Sequence, residues 1–126
     1  MTDMTDTTDT DRRQTWERYA AIWKAEGATE KRALCDACLS PECVYTDPRT
    51  QARGVDELIT YMVEFHGQVP GGHFVTTEFF THHQRSLAKW NMVGADGEVL
   101  GDGVSYGEYD ADGKLTAMTG FFAPPA

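Results

Sequence analysis

Residues 85–122 read RSLAKWNMVGADGEVLGDGVSYGEYDADGKLTAMTGFF, and this stretch decides the fold. Asp96-Gly97 and Asp112-Gly113 are two-residue hairpin turns, since glycine supplies the positive φ such turns require. With these pairs at the turn centres, three antiparallel strands run between Arg85 and Phe122, and the register follows by counting. Ser105 stands opposite Ala88 on one neighbour and Gly120 on the other. Strand alternation then puts Trp90, Met92, Ser105, Tyr109, Met118 and Phe122 on one face, together with Gly101, Gly103 and Gly107. Large side chains standing across from glycines let a sheet bend and leave room for a ligand. The opposite face sets Arg85 across from Glu108 and Asn91 across from Asp102, around an apolar centre of Leu87, Val104, Tyr106 and Phe121. Four apolar side chains ringed by charge predict a homodimer through this outer face.

Working back from this meander, His73 to Thr81 is rich in Phe, Thr and Val and reads as a further strand. A helix beginning at Val55 or Asp56 precedes it, with Leu58, Ile59, Met62, Val63 and Phe65 as its buried face, and Val69-Pro70-Gly71-Gly72 breaks it. Pro48 to Gly54 reads as a loop after the short strand Cys43-Val44-Tyr45. Thr29 to Leu39 reads as a helix carrying Leu34, Ala37 and Cys38 on one face, stopped by Ser40-Pro41. The first helix is capped by Thr10 or Asp11, and Trp16, Tyr19, Ala20 and Trp23 form its apolar stripe before Gly27. Residues 1–10 repeat Thr-Asp with little to bury and are expected to form a disordered acidic tail, leaving 11–126 as a single domain. Three helices followed by long antiparallel strands make an α+β architecture, with helices on one face of a bent sheet.

Composition bounds the partners. The chain has 126 residues and a formal net charge of −9, with its Lys and Arg scattered, which argues against nucleic acid or an anionic membrane. A small neutral or apolar molecule is the better partner. No stretch approaches the roughly 20 apolar residues of a membrane span, and the N-terminus lacks a signal-peptide pattern, so a cytoplasmic location is expected. Cys35, Cys38 and Cys43 fit a reducing compartment as free thiols. Cys35 and Cys38 have the spacing of half a zinc site, but no second pair follows and the histidines lack helical His-x-x-x-His spacing, so no metal is expected.

Tyr45-Thr46-Asp47-Pro48 carries the chemistry. Proline holds the preceding backbone extended, and the Asp47 carboxylate is flanked by aromatic and apolar side chains. Removing water from a carboxylate disfavours its charged form and makes it a better proton acceptor. The plain alternative is a turn aspartate, because Asp-Pro commonly initiates turns.

The Arg18-Tyr19-Ala20-Ala21 helix, the Tyr45-Thr46-Asp47-Pro48 strand end and the closing Met118-Thr119-Gly120-Phe121-Phe122 strand, in this order of elements, resemble the nuclear transport factor 2-like superfamily. Within it the chain resembles the SnoaL-like polyketide cyclases and ketosteroid isomerases over about residues 12–123. The resemblance implies a cone-shaped α+β barrel, three helices closing a deep apolar pocket against a strongly curved, mainly antiparallel sheet. It also implies Asp47 as a proton-shuttling base and Tyr19 as a donor to the enolate oxygen. Ser105 falls where the isomerases carry a second, protonated aspartate; a serine hydroxyl donates one bond but is a weaker acid. The expected activity is cofactor-free proton abstraction alpha to a carbonyl of a steroid-like or polyketide-like substrate. Trp90, Met92, Tyr109, Met118, Phe122 and Tyr45 are expected on the pocket wall, with His66 and His83 at its mouth. The alternative is a non-catalytic module that binds an apolar ligand or serves as a dimeric interaction domain. Epoxide hydrolysis would need an Asp-Arg-Asp set, and no arginine is expected on the pocket face.

Overall fold

The computed structural model describes residues 4–122, with side-chain environments from Asp11 to Phe122. The elements in chain order are α1 (Met4–Lys24), α2 (Gly27–Cys35), β1 (Leu39–Asp47), β2 (Thr50–Arg53), α3 (Gly54–Gln68), β3 (His73–His82), β4 (Arg85–Val93), β5 (Val99–Tyr109) and β6 (Leu115–Phe121). The six strands form one sheet in the order β2-β1-β6-β5-β4-β3. All neighbours are antiparallel except β1 and β6. The three helices pack on one side, α1 against β3 and α3 against β1 and β2, giving the expected α+β fold of helices over a curved, mainly antiparallel sheet.

Away from the turns the register is as counted, but each loop is three residues long rather than two, with the Gly94 N–H bonded to the Glu98 carbonyl and the Asp110 N–H to that of Lys114, and bulges at Met92/Val93 and Glu108/Tyr109 absorb the difference. Ala88, Ser105 and Gly120 form one row, Arg85 lies across from Glu108, and Asn91 across from Asp102. Trp90 lies flat over its partner Gly103: a Cβ there would meet the indole Cζ2 at 2.5 Å and Cη2 at 2.6 Å. Only glycine leaves that space. Trp16, Tyr19, Ile22 and Trp23 from α1, Leu58, Ile59 and Met62 from α3, and Leu115 and Met118 from β6 make the buried core.

Several boundaries differ from the sequence reading. Helix α1 begins at Met4 rather than at a cap on Thr10 or Asp11, so the polar stretch 4–10 continues the helix where a disordered tail was expected; residues 1–3 lie outside the described residues. Helix α2 ends at Cys35, because Leu39 is drawn into β1 by pairing with Leu115 and is buried there. The expected loop 48–54 contains β2, folded back on β1 with Asp47 paired to Thr50. Its four residues hold one buried apolar side chain, Ala52, too short a pattern for alternation to register. Leu34 and Val63, expected inside, are exposed. Lys31 is fully buried instead, its Nζ donating to the carbonyls of Ile22 (2.8 Å) and Trp23 (3.2 Å) near the C-terminus of α1. A buried ammonium is tolerated where it closes helix carbonyls that would otherwise lack partners.

Candidate active site

The turn after β1 builds the centre of the site. Asp47 precedes Pro48, and its side chain closes an Asx-type turn: Oδ1 accepts the backbone N–H of Arg49 at 2.8 Å and of Thr50 at 3.1 Å. This fixes the carboxylate at the end of the strand. Its other oxygen, Oδ2, accepts the phenol of Tyr45 at 2.6 Å and that of Tyr61 at 2.8 Å. Tyr45 is two residues back on the same strand face, and Tyr61 reaches down from the middle of α3. Asp47 is only 8 % exposed, and a carboxylate so enclosed requires such donors.

The carboxylate opens on a cavity of about 470 Å³ between α1, α3 and the sheet. Its walls are mainly aromatic. The Trp23 ring sits 5.6 Å from Tyr45, 6.1 Å from Tyr61 and 5.3 Å from Phe74. Phe74 in turn meets Trp90 edge-on at 4.9 Å. Trp90 donates its Nε1–H to Ser105 Oγ at 2.9 Å, which leaves the serine proton free for another acceptor. Asp47 and Ser105 approach each other across Gly120: a Cβ there would lie 3.6 Å from Asp47 Cβ and 3.7 Å from both Ser105 Oγ and Tyr45 Oη.

The tyrosines are held as proton donors. Burial pushes the Tyr19 phenol far above its ordinary pKa, with the Trp23 side chain acting the other way and the Asp47 charge adding to the rise. Tyr45 is raised by burial and by its neighbours Tyr19 and Asp47. Tyr61 is raised by burial, then by its hydrogen bond to Asp47 and by the Asp47 charge, with Arg49 opposing. All three phenols keep their protons through the neutral range.

Of the residues expected from sequence, Asp47, Tyr19, Ser105, Tyr45, Trp90, Met92 and Phe122 line this one cavity. Tyr109, Met118, His66 and His83 do not, which corrects those four expectations. A bulge at Glu108/Tyr109 shifts the strand end, and the Tyr109 hydroxyl bonds to Ser86 Oγ at 2.8 Å under the Arg12 guanidinium. Met118 is buried in the core beneath the helices. His66 Nε2 is tied to the Gly72 carbonyl at 2.9 Å, and His83 occupies a left-handed turn position (φ 52°) beside His82.

Sequence reasoning missed Tyr61 and Arg49. Tyr61 lies three residues after Leu58 and four before Phe65, so the helical stripe contained the signal. Arg49 lines the cavity although no arginine was expected there, as does Asp102, which had been assigned to the outer face. Among the described residues, no group of three or more His, Cys, Asp or Glu side chains could hold a metal ion. Cys35 and Cys38 instead donate to the carbonyls of Lys31 and Leu34, each four residues back, and all three cysteines are free and buried. No helix among the described residues is long and apolar enough to cross a membrane.

The family model of the SnoaL-like domain matches residues 16–118. The chain belongs to this family. No curated protein matches it. Solved structures similar to this SnoaL-like chain include a candidate isomerase of the SnoaL-like family from Agrobacterium tumefaciens str. C58, with TM-score 0.83 and 21% identity, covering 91% of this chain and 99% of that one. A candidate polyketide cyclase from Sinorhizobium meliloti has TM-score 0.68 and 14% identity over 85% of this chain and 93% of that one. A protein of ketosteroid isomerase-like fold from Catenulispora acidiphila, in complex with trimethylamine, has TM-score 0.71 and 8% identity over 86% and 85% of the two chains. At these identities the likeness is one of fold.

Proposed function

We propose that this SnoaL-like protein is an enzyme of the isomerase or cyclase kind. Asp47 removes a proton alpha to the carbonyl of a hydrophobic, steroid-like or polyketide-like substrate. Tyr19 and Ser105 face the enolate oxygen, and the proton returns at another carbon or a ring closes. The observation that carries the reading is a carboxylate 8 % exposed at the wall of an aromatic cavity that also receives Tyr19 and Ser105. The names of the similar isomerase and cyclase structures agree with it. Such chemistry needs neither metal nor organic cofactor. The test is conversion of a β,γ-unsaturated cyclic ketone to its conjugated isomer, followed by ultraviolet absorbance. Asp47→Asn should reduce the rate by about 10²–10⁴, the usual contribution of a positioned base, and unchanged turnover in that variant would sink the mechanism.

Epoxide hydrolysis is the second reading, favoured by Arg49 and Asp102 among the residues that line the same cavity as Asp47. Conversion of a cyclic epoxide to its diol, lost in Arg49→Gln while ketone isomerisation persists, distinguishes it. A cytoplasmic homodimer belongs to the leading reading. Its support is the three buried thiols and an outer sheet face on which Phe80, Leu87 and Phe121 are exposed.

A further inference from the structure

An ionised carboxylate has about four lone-pair positions. Asp47 has donors at all of them: the backbone amides of Arg49 and Thr50 on Oδ1, the phenols of Tyr45 and Tyr61 on Oδ2. A proton abstracted from substrate can therefore reach Asp47 only where one donor withdraws. The two amides belong to the turn that ends β1 and cannot leave without unpairing Asp47 from Thr50. Tyr45 is buried in the middle of the pairing between β1, β2 and β6, its ring against Trp23. Tyr61 is different: it stands on α3, is only half-buried, and lines the cavity itself.

We infer that Tyr61 is the exchangeable donor of the site, moving its hydroxyl from Asp47 Oδ2 to the carbonyl oxygen of the bound substrate. The move does two things in one step. It opens a lone pair on Oδ2 facing the cavity, and it supplies a phenolic donor to the oxygen where negative charge develops. The substrate C–H bond then breaks, its electron pair forms the enolate C=C, the carbonyl oxygen takes the charge, and the proton occupies the vacated position on Oδ2. Reprotonation at another carbon restores the carboxylate, and Tyr61 returns to it. Asp47's charge is one of the causes that hold the Tyr61 proton tightly. Neutralising Asp47 removes that hold as the enolate forms, so the phenol becomes the stronger donor when it is needed. Tyr61 thus offsets the weak second donor that Ser105 represents. This inference rests on Asp47 acting as the base.

The test needs no knowledge of the natural substrate. Deuterium incorporation alpha to the carbonyl of 2-tetralone in D₂O, followed by proton NMR, measures the abstraction step alone. Tyr61→Phe should lower the saturated exchange rate about a hundredfold, the usual cost of losing an oxyanion donor, while the concentration for half-saturation changes less than about threefold. Tyr45→Phe, which removes the Oδ2 donor that does not exchange, should lower the rate less than Tyr61→Phe does. Incorporating 3-fluorotyrosine at position 61, which makes the phenol more acidic at nearly constant size, should raise the rate, an outcome a structural role for Tyr61 does not produce. Asp47→Asn at the buffer rate with Tyr61→Phe within threefold of wild type overturns the role of Tyr61 and leaves the base standing. Equal losses in Tyr45→Phe and Tyr61→Phe also overturn it. Asp47→Asn exchanging as fast as wild type removes the base and this proposal together.

Discussion

Two glycines on the inner sheet face should respond to the same methyl group in opposite ways. At Gly103 an added Cβ falls 2.5 Å from the Trp90 ring and 2.8 Å from the Phe121 carbonyl oxygen. The carbonyl is backbone and cannot yield, so the indole must. Overpacking of this kind costs about 1–3 kcal/mol, and displacing Trp90 breaks its 2.9 Å bond to Ser105, exposing a buried donor to a further cost of about 1–3 kcal/mol. Gly103→Ala should therefore destabilise by roughly 2–6 kcal/mol on combining these terms. At Gly120 the nearest atoms to an added Cβ lie at 3.6–3.7 Å, ordinary contact distance. Gly120→Ala restricts the unfolded chain without straining the folded one and should lie within about 1 kcal/mol of wild type. Urea denaturation followed by Trp fluorescence measures both. Equal midpoints for the two variants, or a more stable Gly103→Ala, would refute the placement of Trp90 over Gly103 from which the aromatic wall is built.

Ser105→Ala removes the acceptor of the Trp90 indole and should cost about 1–3 kcal/mol in the same denaturation assay; no loss would mean that Trp90 finds another partner. Alkaline pH should destabilise the fold. Burial raises Cys38 to about 12 and Cys43 to about 11 from 9.0, so their stability contribution is whole below pH 9 and is lost as pH rises toward those values, because the unfolded thiols ionise first. Burial lowers Lys31 from 10.5 to about 8, which gains stability between those values; the two thiols outweigh it, and Lys31→Met should steepen the fall of the urea midpoint between pH 9 and 11. A flat profile contradicts this. Phe121→Asp on the outer face should reduce the mass seen by light scattering from about twice to about once the 14.0 kDa chain; a wild-type monomer contradicts the proposed dimer.

Much of the sheet was legible because counting from Asp96-Gly97 and Asp112-Gly113 gives the row of Ala88, Ser105 and Gly120; the bulges at Met92/Val93 and Glu108/Tyr109, which shift the pairing beside each turn, leave no such mark in the sequence. Asp47 was legible because proline marks the strand end. The site's other half was less so. Tyr61 hides in a helix stripe where a ring packed in the core and a phenol reaching a carboxylate have the same spacing, and only the approach of α3 to β1 separates them. Arg49 lay in a stretch expected to be a loop, and only the folding back of β2 on β1 fixes its place beside the cavity. Lys31 runs against the rule that lysine stays outside, because the carbonyls of Ile22 and Trp23 at the end of α1 take its protons. Tyr109 and Met118 sat on the right face but beyond the cavity's end, a distance that alternation cannot measure.

The most direct measurement is the rate at which the protein exchanges the alpha hydrogens of 2-tetralone for deuterium, compared between wild type and Asp47→Asn with both shown to be folded by circular dichroism. The account predicts exchange well above the buffer rate in wild type and a return to the buffer rate in Asp47→Asn. Exchange at the wild-type rate in the folded variant, or none in wild type, would contradict it.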